Sequence, residues 1–244
     1  MISVISEPEA AAALSGGADI LDVKNPREGS LGAQHPDVVR RIKAIAPRGV
    51  SVSAAIGDMH HLPGTAALAA LGAASCGVDF IKVGLYGSRH EKDAEILLRE
   101  VRQAVNGFPT AVIAAAYADF QRAGTLNPAS VPEISAAAGM TGFLIDTFMK
   151  DGRSVFDFLS EDALRILAEQ SHEHDLLFGL AGSLREQDLP LARKVGADVA
   201  GVRTAVCRDN QREGPLEVHL VRQLIQSSRS FTCPARDDAL KCKD

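Results

Sequence analysis

A single α/β domain of the (β/α)8 TIM-barrel class is predicted by three features of this 244-residue sequence. Short apolar runs rich in β-branched residues recur eight times, each followed by a polar loop and an Ala/Leu-rich stretch with helical spacing. That alternation is the mark of βα units and a parallel sheet. Several helical stretches end in Gly-Ala or Gly-Val just before a strand, as in GADI, GVDF and GADVAG, where glycine takes the left-handed cap that stops a helix. The length also fits, because α/β barrels commonly run about 200–250 residues as one unit. A doubly wound open sheet is the alternative arrangement of the same elements.

The elements follow in order. Strand 2–5 (ISVI) leads through Pro8 into the alanine-rich helix 8–14. Strand 20–24 (ILDVK) is separated by the turn-rich NPREGSLGA from helix 37–46. Strand 49–55 (GVSVSAA) precedes helix 66–75, and FIKVGL at 80–85 precedes helix 92–104. AVIAAA at 111–116 is followed by helix 132–138, and GFLIDT at 142–147 by helix 160–171. LFGLA at 177–181 precedes helix 184–195, and VAGVR at 199–203 precedes helix 215–227. Residues 1–227 are thus read as the barrel, and the polar 228–244, with Pro234, as a loosely attached, flexible tail.

Composition excludes several function classes. With 46% hydrophobic and 23% charged residues, the chain has ordinary globular usage and is long enough to bury a core without staples. Cys76, Cys207, Cys233 and Cys242 form no CxxC pair and have no histidines at zinc spacing, so neither a disulfide framework nor a metal site is expected. A reducing cytoplasm fits that usage. The start, MISVISEPEA, has no basic segment leading into a long apolar one, and no run approaches the roughly 18 apolar residues of a membrane span. A net charge of -5, with two Tyr and no Trp, argues against a nucleic-acid surface, which wants a basic face. A small basic pocket is compatible with that average.

In a barrel, chemistry sits at the carboxyl ends of the strands, so the polar residues that end the apolar runs are the candidates. The second run ends with Asp22 and Lys24, the fourth carries Lys82, and the sixth leads to Asp146 and Lys150. Of the 26 basic side chains only eight are lysine, and three of those eight lie in or just after apolar strand patterns. Arginine serves most of the surface, so lysine at strand ends asks for a lysine-specific reason. A buried lysine can lose its proton and attack a carbonyl, which arginine cannot do. Residues two apart on a strand share a face, so Asp22 and Lys24 point to the same side, the barrel lumen. A structural ion pair plugging the barrel end is the competing account for any one strand. Convergence from the second, fourth and sixth strands favours chemistry, because clustered ammonium groups depress one another's pKa.

Anion binding is expected from the seventh and eighth units, where barrel enzymes often hold a phosphate. Gly182 and Ser183 follow the seventh strand, and Gly201 and Arg203 end the eighth. Glycine lets phosphate oxygens approach the main chain, and arginine supplies a fork of donors. The loop 25–33 after Lys24 is placed to cover the barrel mouth. Tyr117, Asp119 and Tyr86 follow strands and line its walls, whereas His60 and His61 read as surface histidines.

Taken together, the stretches GGADILDVKNPREGSLGA, FIKVGLYG, GTLNP, DTFMKDGRSVFDF, LAGSL and GVRTAVC resemble the (5-formylfuran-3-yl)methyl phosphate synthases of methanofuran biosynthesis, also called 4-(hydroxymethyl)-2-furancarboxaldehyde phosphate synthases. The resemblance runs from about Gly16 to Cys207 and covers seven of the eight units. It implies a cofactor-free lyase-type barrel that condenses two glyceraldehyde 3-phosphate molecules, with Lys24 as the Schiff-base lysine, Lys82 and Lys150 as its companions and Asp22 and Asp146 as catalytic aspartates. Gly182, Ser183, Gly201 and Arg203 would then hold substrate phosphate. The tail has no counterpart in that pattern. Atom bookkeeping agrees: two C3H7O6P minus one phosphoric acid and two waters leave C6H7O6P, the furan aldehyde phosphate, with no redox change. Ala-rich outer helices point to a homo-oligomer. The competing readings are another Schiff-base aldolase of phosphorylated aldehydes and a non-catalytic barrel that binds a phosphorylated metabolite.

Overall fold

A lumen that must hold three lysines and two aspartates needs a rigid frame, and eight parallel strands supply it. The computed structural model describes residues 1–230. The strands are β1 (Ile2–Val4), β2 (Ile20–Val23), β3 (Ser51–Asp58), β4 (Phe80–Gly84), β5 (Ala111–Tyr117), β6 (Gly142–Asp146), β7 (Leu177–Leu180) and β8 (Val199–Ala200). Each pairs in parallel with the next in chain order. A parallel bridge between Ile2 and Val202 joins β8 back to β1, with Ser3 N donating to Val202 O at 2.9 Å and Val202 N to Met1 O at 3.1 Å. The sequential order and this return give the (β/α)8 barrel that the sequence predicts.

Alternation along the strands sorts side chains into two cores. Leu21, Val23, Ile81, Val83, Phe143 and Ile145 point outward and pack beneath the helices, in the larger apolar cluster. Inward lie Ala55, Ala115, Tyr117, Leu144 and Ala181, a separate cluster capped by Leu31. Asp22, Lys24, Lys82 and Asp146 share the inward parity of their strands and are all buried. Small residues make room for them. At Gly84, an added Cβ would lie 2.4 Å from the Tyr117 hydroxyl.

The helices are α1 (Glu7–Ser15), α2 (Pro36–Ile45), α3 (Pro63–Ala74), α4 (Glu91–Ala104), α5 (Phe120–Ala123), α6 (Val131–Ala137), α7 (Glu161–Glu173), α8 (Leu189–Lys194) and α9 (Val218–Ser230). No helix among the described residues is long and apolar enough to cross a membrane. Three departures from the sequence reading have local causes. The short α5 was not anticipated: Gly124, at φ +65°, stops it after one turn. Strand β3 continues past Ala55 to Asp58, through a register shift and Gly57 at φ +123°. The helix expected at 184–195 forms only from Leu189, where Pro190 sits in the first turn and is tolerated because its missing N–H is unpaired there anyway. Helix α9 runs through Ser230, three residues into the expected tail, and the rest of that tail, with Cys233, Pro234 and Cys242, lies outside the described residues.

Candidate active site

The carboxyl ends of the strands surround a pocket, open to solvent, of about 370 Å³, and Asp22, Lys24, Lys82, Asp146, Lys150, Gly182, Ser183, Gly201 and Arg203 all line it. Convergence of these nine residues is thus a fact of the fold. Their partners differ, and the differences assign chemistry.

Two lysines are committed to carboxylates. Lys82 Nζ lies 2.7 Å from Asp22 Oδ1, and Ser3 on the neighbouring β1 donates to Asp22 Oδ2 at 2.9 Å. Across the mouth, Lys150 Nζ lies 2.5 Å from Asp146 Oδ1 and 3.1 Å from Thr147 Oγ1, while Thr147 N also donates to Asp146 Oδ1 at 2.8 Å. Lys24 is 5% exposed, and its ammonium has no hydrogen-bond or ion-pair partner among the described residues. Burial brings its pKa down from 10.5 to about 7; Lys82 and Lys150 push the same way, and Asp146 and Asp22 oppose them. Burial also lowers the pKa of Lys150, against the pull of Asp146. On the carboxylates burial acts upward, yet the surrounding ammonium groups prevail: Asp146 and Asp22 both fall below the usual range, held there mainly by Lys150 and Lys82 respectively. The result is an amine that no carboxylate of the described residues pairs, with its pKa lowered toward 7, beside two ionised carboxylates.

The expected phosphate end is a cup of main chain. Gly182 at φ +97° and Ser183 at φ +54° form a turn after β7 in left-handed backbone, which glycine adopts freely and serine only at a cost of about 1–3 kcal/mol. Neither residue's N–H, nor that of Leu184, has a partner among the described residues. Unpaired N–H groups in such a turn suit an anion. A Cβ at Gly182 would lie 3.0 Å from Thr147 N, so a side chain here would crowd the end of β6 as well as strain the backbone. Gly201 donates its own N–H to Leu180 O at 2.8 Å and contributes space rather than a donor. Arg203 is placed at the cavity but engaged elsewhere: Nη1 donates to Glu9 Oε2 at 2.8 Å and Ser3 O at 3.0 Å, Nη2 to Glu9 Oε1 at 3.3 Å, and Nε to Arg212 O at 2.7 Å.

The loop after β2 covers the mouth as expected, and the residue that straps it down is one the sequence reading missed. Asp58 accepts hydrogen bonds from Ser30 N at 2.7 Å, Leu31 N at 3.2 Å and the Tyr117 hydroxyl at 2.5 Å. Ser30 Oγ also donates to Thr147 O at 2.8 Å. The visible signal was alternation continuing through VSVSAAIGD, with Asp58 at its end. Asp119 holds the loop after β6 by accepting from Phe148 N at 2.6 Å and Met149 N at 2.9 Å. Tyr86 stacks on Phe148 at 4.3 Å, and His60 and His61 are exposed. Replacing Tyr117 by Phe leaves Asp58 one donor short. The expected outcome is a loss of about 1.5–3 kcal/mol in a urea unfolding measurement, the range for hydrogen bonds to charged groups. A change below about 0.5 kcal/mol, within the usual scatter of surface substitutions, would show that the strap holds without the tyrosine.

Comparison with known proteins gives a consistent answer. Residues 1–225 match the family model for 4-HFC-P synthase. The (5-formylfuran-3-yl)methyl phosphate synthase of Methanopyrus kandleri is 47% identical over 230 residues, covering 93% of this chain and 97% of that protein. Its counterpart in Methanocaldococcus jannaschii is 42% identical over 227 residues, covering 92% and 97%. Among solved structures, a phosphoribosyl anthranilate isomerase from Thermus thermophilus superposes with a TM-score of 0.61 at 17% identity, over 95% of this chain and 98% of that one. A 3-hexulose-6-phosphate synthase does so with 0.59 at 18%, over 91% and 98%. At those identities the likeness is one of fold.

Proposed function

The chain belongs to the 4-HFC-P synthase family, and from that premise we propose how its lumen makes the product. The activity is (5-formylfuran-3-yl)methyl phosphate synthesis in methanofuran biosynthesis. The substrate is glyceraldehyde 3-phosphate, two molecules per product, and Lys24 carries the reaction as a Schiff base. One observation supports the choice of lysine above the others: Lys24 alone of the three is buried without a carboxylate partner and has its pKa near 7.

The steps follow from the product's connectivity. Neutral Lys24 attacks the aldehyde carbon of one triose phosphate, and loss of water gives an iminium. The iminium acidifies the adjacent C–H, and removal of that proton expels phosphate from the β-carbon. The three-carbon fragment left, still on the lysine, is nucleophilic at its terminal carbon. That carbon joins the central carbon of the second triose, taken as its ketone isomer, and keeps the second phosphate in the product. The alcohol so formed loses a first water, the remaining primary hydroxyl closes the ring on the carbonyl carbon next to the imine with loss of a second, and hydrolysis of the imine, which takes back the water lost when it formed, releases the furan aldehyde and the free amine. Phosphoric acid and two waters leave in all, and no oxidant is needed.

Asp146 with Lys150 is suited to shuttle protons, since a carboxylate and an ammonium 2.5 Å apart present a base and an acid together. Asp22, paired with Lys82, shares its strand face with Lys24 and orients or deprotonates there, while Lys82 lies beside Lys24 and is placed to stabilise oxyanions. The turn at Gly182 and Ser183, with Gly201 and Arg203 behind it, forms the phosphate cup. Borohydride trapping with glyceraldehyde 3-phosphate, followed by peptide mapping, tests the assignment. The label is expected on Lys24; a label on Lys82 or Lys150, or none, would remove Lys24 from its role.

A further inference from the structure

The phosphate cup has main-chain donors but needs a cation, and the arginine expected to supply it is occupied. Arg203 donates to both oxygens of Glu9 and to two carbonyls, so its charge is neutralised within the fold. The same cavity is lined by a second guanidinium, that of Arg212, from the loop between β8 and α9. Arg212 is half-buried, and among the described residues its guanidinium makes one hydrogen bond, from Nη2 to Gly29 O at 3.3 Å. Among the described residues it has no carboxylate within ion-pair distance. Four of its five donor hydrogens are therefore unassigned inside a cavity that also contains Lys24, Lys150 and the unpaired N–H groups of Gly182 and Ser183.

We infer that Arg212 is the cationic ligand of the substrate phosphate, with Arg203 as a positioning residue that fixes it through its carbonyl. The guanidinium fork matches two phosphate oxygens, and the main-chain cup takes the third. Burial already disfavours the Arg212 charge, and the nearby Arg203 adds to that; a phosphate dianion relieves both. The contact to Gly29 gives binding a second consequence. Gly29 lies in the loop that follows Lys24, so a phosphate held by Arg212 ties the closing loop to the cup and orients the aldehyde end toward the amine.

This inference rests on the Schiff-base reading above, and the test separates the two. Full-length Arg212→Gln and Arg212→Lys are assayed for furan formation from glyceraldehyde 3-phosphate and for inhibition by inorganic phosphate. Borohydride trapping of unphosphorylated glyceraldehyde reports the amine independently. For Arg212→Gln, the KM and the phosphate inhibition constant are expected to rise by about 10- to 100-fold, the range for a lost charge-assisted hydrogen bond, while glyceraldehyde trapping on Lys24 is unchanged. Arg212→Lys, which keeps the charge but not the fork, is expected to fall between the two and serves where the glutamine variant does not fold. Unchanged KM and phosphate inhibition in either variant would overturn the inference, as would a parallel loss of glyceraldehyde trapping. Failure of the parent enzyme to trap at Lys24 would instead sink the Schiff-base reading, and phosphate-induced thermal stabilisation of parent against Arg212→Gln would still decide the role of Arg212.

Discussion

Lys24→Arg is expected to lower kcat/KM for furan formation by more than about 10⁴-fold, the scale on which removal of a covalent nucleophile acts. Arginine keeps the positive charge and most of the length but stays protonated, so charge alone is tested against nucleophilicity. Circular dichroism and binding of inorganic phosphate verify that the variant is folded with an intact cup. A sensor that only binds a phosphorylated metabolite would keep its function in this variant; an iminium enzyme would lose it. Residual turnover within about tenfold of the parent would exclude the mechanism proposed here.

The same lysine fixes a pH signature in both activity and stability. With the amine titrating near pH 7, kcat/KM is expected to rise with pH along a limb centred there, because the neutral form is the reactive one. The stability consequence has the same direction. The folded-state pKa lies below the unfolded value of 10.5, so between pH 7 and 10.5 the unfolded chain holds a proton that the folded protein has released. This contribution makes stability increase with pH across that window, and the penalty of the buried ammonium is fully present below pH 7. Lys24→Met removes it, and the variant is expected to gain about 2–4 kcal/mol at pH 6 while losing all turnover. Equal stability of parent and Lys24→Met at pH 6 would mean that water reaches the amine and that its lowered pKa has another cause.

Why was this centre legible from sequence when its support was not? Period-two alternation is strict in a barrel, so Asp22 with Lys24, and Lys82 and Asp146 at the inward parity of their own strands, must face the lumen once each strand is placed. The scarcity of lysine made the choice of chemistry readable as well. Asp58 escapes the pattern because the third strand's register shifts after Ala55, at a bulge that re-aims the chain. Arg212 lies in RDNQREG, a charged stretch that reads as a solvated loop, and no periodic signal marks one of its arginines as inward. Arg203 shows the converse error of emphasis. Its position was readable but its partner was not, because Glu9 sits almost 200 residues away and looks like an ordinary acid in a first helical turn. Short-range pattern gives parity and placement; which long-range partner takes up a charge is decided only when the barrel closes.

That long-range pair is where the largest loss of stability is expected. Glu9 is 8% exposed and Arg203 4%, and together they cross the seam at which β8 meets β1. The seam is short: β8 has two residues, and Ile2 meets Val202 in an isolated bridge. Glu9 also accepts from Ile5 N at 3.0 Å, which ties the end of β1 to α1. Glu9→Ala removes one partner and leaves a guanidinium buried without its counter-charge, a change expected to cost about 3–5 kcal/mol by urea unfolding. Replacing both, as Glu9→Met with Arg203→Met, is expected to recover most of that loss, because an apolar pair of similar volume avoids burying either charge. Function should not recover with it. The Nε bond from Arg203 to the Arg212 carbonyl is gone in the double variant, so KM for the phosphorylated substrate is expected to stay raised while stability returns. If Glu9→Ala costs less than about 1 kcal/mol, water must enter the seam and solvate Arg203. If the double variant regains both stability and KM, the pair serves packing alone and has no part in presenting Arg212 to the phosphate.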